Sequence, residues 1–107
     1  MRVSKGKSWP GGLLARKYVD EAIVMGSTMT RSEFLEFAGT NPADRYFVDI
    51  EELRLDAKAV VIVAHNLQFP QRKISNVDFR GDKESVAIPL VKLGLQVFNS
   101  KSKSYLA

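Results

Sequence analysis

Cysteine is absent from this chain of 107 residues. Its absence excludes disulfides, thiolate zinc sites, iron–sulfur clusters and a thiol nucleophile, and fits a reducing compartment. Histidine occurs once, as His65, so a histidine-based triad and a two-histidine metal site are excluded as well. A lone histidine after an apolar run reads as a strand-end polar group. Long apolar runs are missing too: the longest, residues 59–64, is far too short to span a membrane. The first fifteen residues hold no continuous apolar run, so no secretory signal is expected. Gly6, Pro10, Gly11 and Gly12 break the amphipathic helix that a mitochondrial presequence needs, although the acid-free basic start keeps import open. An intracellular, cytoplasmic setting is the expectation.

What is present is ordinary globular material, 45% hydrophobic and 26% charged, enough for one core. The net charge of +4 is unevenly spread. Residues 1–17 carry Arg2, Lys5, Lys7, Arg16 and Lys17 without an acid, and residues 92–107 carry Lys92, Lys101 and Lys103 without an acid. All 12 acids therefore lie in residues 18–91. Blocks of one sign reach for something of the other sign. The organisation read from this is a basic arm over 1–12, a domain over 13–98 and a basic tail over 99–107.

Periodicity predicts a helix over 13–25, with Leu14, Tyr18, Ala22 and Met25 near one face and Arg16/Asp20 and Lys17/Glu21 as i,i+4 pairs outside. Thr30 followed three residues later by Glu33 is a capping-box signature, opening a short helix over 31–38 that Gly39 ends. The period then shifts toward two. Tyr46, Val48 and Ile50 alternate with Phe47 and Asp49, which favours a strand. The β-branched run over 59–64 predicts the central strand. Residues 73–79 and 85–98 read as further extended segments, with Pro89 at an edge or break and Gly94 at a bulge. Two N-terminal helices packed on a mostly antiparallel sheet of four or five strands follow, an α+β domain.

Several local motifs fail for want of the surroundings they need. Gly6-Lys7-Ser8 looks like the end of a phosphate-binding loop, but the position five before Gly6 is Met1 and Pro10-Gly11-Gly12 delays any helix. Asp56-Ala57-Lys58, with Asp44 upstream, has the acid-x-lysine form of metal-dependent nucleases; in a chain with 12 acids such a pair arises about once by chance. Asp49, Glu51, Glu52 and Asp56 would hold magnesium only with further oxygens from elsewhere. Arg80-Gly81-Asp82 is best read as a hairpin turn.

The candidates that remain are Arg2, Lys5, Lys7, Trp9, Arg16 and Lys17 near the start and Lys101, Lys103 and Tyr105 near the end. They combine phosphate-seeking charge with aromatic faces. No catalytic or metal-binding residue is assigned and no cofactor is expected. The favoured reading is a non-enzymatic interaction module, a subunit or accessory protein of an assembly. In it, the basic arms engage a protein partner or the acidic body of a second copy. Two alternatives stand beside it: binding of single-stranded DNA or RNA by the arms and Trp9, and a metal-dependent hydrolase centred on Asp44, Asp49 and Asp56.

Overall fold

The computed structural model describes residues 14–75 and 86–106. Its elements run α1 (Arg16–Ser27), α2 (Arg31–Ala38), β1 (Tyr46–Ile50), β2 (Leu53–Asp56), α3 (Ala57–Gln68), α4 (Ile88–Lys92), β3 (Gln96–Asn99) and β4 (Ser104–Tyr105). The four strands form one open antiparallel sheet in the order β2-β1-β3-β4. Tyr46, Val48, Leu55 and Val97 turn one face of it into the core. The helices pack on that face, so the α+β architecture expected from the sequence is present.

The local signals of α2 act as their chemistry predicts. The Thr30 side chain accepts from the Glu33 amide at 3.1 Å and the Glu33 carboxylate accepts from the Thr30 amide at 2.9 Å. Gly39 closes the helix with φ 77. Helix α1 spans Arg16–Ser27 and buries Val19, Ala22 and Gly26. Gly26 sits where an added Cβ would meet the Leu55 side chain at 3.0 Å and the Phe34 ring at 3.2 Å, so a larger residue there requires those side chains to give way by a few tenths of an ångström.

The run over 59–64 is not the central strand but the middle of α3, and His65 is a helical residue. A helix buried all round is apolar in every direction, and such a run carries no period to separate it from a buried strand. Helices α1 and α2 and strands β1 and β2 all pack against α3. Burying a Val or Ile side chain gains about 1.5–3 kcal/mol, which outweighs a helix-propensity deficit of about 0.5 kcal/mol per residue. Gln68 at the far end accepts the Ala15 amide at 2.9 Å and ties α3 to the start of α1.

Two further extended segments are corrected. Within 85–98, residues 88–92 form α4, and the strand begins only at Gln96, the start of β3. Pro89 stands in the first turn of α4, where its missing amide is not needed, and Gly94, at φ 90, turns the chain into β3. Of 73–79, residues 73–75 are irregular, with the Ile74 backbone held at both ends by the Asn66 side chain at 2.8 and 3.1 Å. The remainder, with Arg80-Gly81-Asp82, lies outside the described residues. The segment set apart as a basic tail contains β4, which pairs with β3 through Phe98↔Tyr105 and Asn99↔Ser104.

Candidate interaction surface on the open face of the sheet

Alternation along each strand sends every second side chain away from the helices. On β1 these are Phe47 and Asp49, and register aligns them across the sheet. Phe47 stands opposite Asp56 on β2 and Phe98 on β3, and Phe98 stands opposite Tyr105 on β4. One lateral row thus reads Asp56, Phe47, Phe98, Tyr105. The next row reads Arg54, Asp49, Gln96.

Two arginines lie over the aromatic row, each held by a carboxylate. Arg54 donates to Asp49 through Nε and Nη2, both at 2.6 Å, and its guanidinium carbon is 4.2 Å from the Phe98 ring centre and 6.0 Å from that of Phe47. Tyr105 donates its hydroxyl to the same Asp49 and meets Phe98 edge-on at 5.1 Å. Arg31, from the first turn of α2, donates to Asp56 at 2.9 and 2.6 Å and lies 6.0 Å from the Phe47 ring centre on its other flank. The Ala43 amide adds a third donor to Asp56 at 2.8 Å.

These contacts fix the charges. Arg54 first, and Tyr105 second among the favourable partners, hold the Asp49 carboxyl below its ordinary value. Asp49 in return raises Arg54 and raises the exposed Tyr105 hydroxyl. At neutral pH the cluster is an ionised carboxylate between a guanidinium and a protonated phenol.

The sheet is also electrically polar along its strands. Residue Arg45, leading into β1, and Lys101 and Lys103, in the turn between β3 and β4, lie at one end. The Ser100 amide, bonded to the Arg45 carbonyl at 2.8 Å, marks that end, and Lys101 reaches Asp44 there at 3.7 Å. At the other end stands the Glu51–Glu52 turn between β1 and β2. A cleft of about 220 Å³ beside Arg45 and Lys58 is smaller than the roughly 300 Å³ of a site that encloses a small ligand.

The sequence candidates are distributed unevenly over this frame. Lys101, Lys103 and Tyr105 belong to the surface just described. Arg16 does not: it bonds Asp20 at 2.8 Å and the Leu93 carbonyl at 2.6 Å, ahead of the opposite end of β3. Lys17 is exposed on α1, above the Tyr18 ring at 5.2 Å. Arg2, Lys5, Lys7 and Trp9 lie outside the described residues. Of the carboxylates weighed for a metal, three go to separate cations, Asp44 to Lys101, Asp49 to Arg54 and Asp56 to Arg31, and Glu51 and Glu52 stand in the β1–β2 turn. Among the described residues no three His, Asp or Glu converge on a metal-sized site, and no helix there is long and apolar enough to cross a membrane. Arg31, Arg45, Phe47, Arg54 and Phe98 were not among the sequence candidates. Phe47 had a signal, since the alternation that buries Tyr46 and Val48 turns an aromatic to the other face.

Residues 13–99 match the model of the family described as ScoMcrA-like, N-terminal head domain, and the chain belongs to that family. No curated protein and no solved structure matches it.

Proposed function

We propose that this ScoMcrA-like head domain is a non-enzymatic binding module of a larger protein or assembly, and that its partner is nucleic acid. The observation that carries the reading is the gathering of Arg45, Lys101 and Lys103 at one end of the sheet, where, among the described residues, Asp44 is the acid seen to offset them. Sequence-independent affinity for a phosphate backbone arises from such cations through counterion release. The family's description as an N-terminal head domain supports the attached-module half of the reading. The engagement of Asp49 and Asp56 by arginines supports a structural role for both carboxylates. The reading sets the chain inside the cell, a reducing setting that a chain without cysteine suits.

A second reading is favoured by the Glu51–Glu52 turn at the opposite end. The basic end of one copy complements the acidic end of another, and the module then works by self-association or on an acidic protein partner.

Light scattering across salt, with and without an oligonucleotide, separates the two. Nucleic-acid binding gives a species that gains mass only with the oligonucleotide. Replacing Arg45, Lys101 and Lys103 together by alanine then lowers the salt slope of binding by about 0.7–0.9 for each phosphate no longer neutralised. A salt-sensitive oligomer that ignores the oligonucleotide establishes the second reading instead.

A further inference from the structure

We infer that the open face of the sheet is a stacking platform for the unpaired bases of single-stranded nucleic acid, an inference that rests on the nucleic-acid reading above. Phe47, Phe98 and Tyr105 occupy direct cross-strand positions on three adjacent strands, so their backbone positions recur at the strand spacing of about 4.8 Å. They stand on the face away from the helices: Tyr105 is 52% exposed, while Phe47 and Phe98 are half-buried under the guanidiniums of Arg54 and Arg31.

The arginines strengthen the case. Arg54 has one face on Phe98 and its donors fixed on Asp49, yet its side chain remains 46% exposed. A guanidinium held in place over a ring and by a carboxylate can offer its exposed plane to a base, as an aromatic ring does. Because Asp49 already satisfies its charge, the Arg54 plane recognises a π face more than a phosphate. Phosphates are left to Arg45, Lys101 and Lys103, at the end of the strands next to the aromatic row. The two halves of a nucleotide thus meet the two chemistries they require, side by side.

A duplex does not suit this face. Its bases are stacked on one another and offer only edges in the grooves, which a flat half-exposed sheet cannot enter. The occupant is therefore a single strand, bound with little sequence preference because every base has a π face.

The test compares the whole chain on oligothymidylate and on a duplex of equal length, by fluorescence anisotropy of labelled DNA across salt. The platform predicts preference for the single strand. Tyr105→Ala, at an exposed site, weakens single-strand binding about 5- to 150-fold while leaving the salt slope unchanged, since stacking releases no counterions. Tyr105→Phe retains binding, and Arg54→Lys, which keeps the charge and loses the plane, weakens it. If duplex binds as well as single strand and Tyr105→Ala changes nothing, the platform is overturned while nucleic-acid binding stands. If neither DNA binds at low salt, the nucleic-acid reading fails and the platform with it.

Discussion

Arg31 and Asp56 form an asymmetric ion pair: the arginine side chain is 56% exposed and the aspartate side chain 4%. Asp56 ends β2 and stands at the N-cap position of α3. It takes two bonds from α2 and one from the Ala43 amide. One buried carboxylate therefore joins the second helix, the loop after it, the edge of the sheet and the start of the central helix.

The asymmetry sets the order of mutational effects. Arg31→Ala strands a buried carboxylate on one remaining donor and is expected to cost about 2–3 kcal/mol. Asp56→Asn keeps an acceptor for Ala43, leaves an arginine that can turn to water, and costs about 1 kcal/mol. The double variant should lose less than the sum of the two, because the stranded charge is gone. Urea denaturation of the four proteins measures this directly. Equal losses from the two single variants, adding without coupling, would show that Asp56 is not the pivot described.

How much of this was legible in the sequence depends on the span of each signal. The capping box and Gly39 stop of α2 lie within ten consecutive residues, and local chemistry decides them. Helix α3 was illegible because its residues 59–64 favour a strand locally, and only packing on all sides makes them helical. In segment 85–98 Pro89 and Gly94 announce breaks, but a proline suits the first turn of a helix as well as the edge of a strand, and nothing local says which. The aromatic row required more still: Phe47 and Phe98 are about 50 residues apart, and a register shift of one would have turned either into the core. Composition alone points to Tyr105 and the terminal lysines, but Arg54 enters only once β2 is known to pair with β1.

The Asp49 cluster predicts a defined response to acid. Arg54 and Tyr105 lower the Asp49 pKa in the folded protein, below the unfolded value of about 3.9. A depressed folded pKa contributes stability that is fully present above the unfolded value and is lost as pH falls through the folded one. The stability gap between the wild-type chain and Asp49→Asn should therefore be widest near neutrality. It should close on acidification below about pH 4. The urea midpoint of each protein as a function of pH provides the check, and a gap that stays constant to the acid limit would contradict it.

Two backbone positions predict opposite signs for the same kind of exchange. Glu51, in the β1–β2 turn, has φ 54, a left-handed conformation that costs a side-chain-bearing residue about 1–2 kcal/mol. Replacing it by glycine removes that strain and adds back some unfolded-chain entropy, for a net gain of about 0.5–1 kcal/mol. Gly39 has φ 77, and a Cβ there would meet Ser75 at an ordinary 3.6 Å. Gly39→Ala therefore suffers no clash, and its loss of about 1 kcal/mol reports backbone strain alone. At roughly 4–8 °C per kcal/mol for a domain of this size, thermal melts should move upward for Glu51→Gly and downward for Gly39→Ala. Shifts of the same sign would mean that one of the two residues does not hold the left-handed conformation assigned to it.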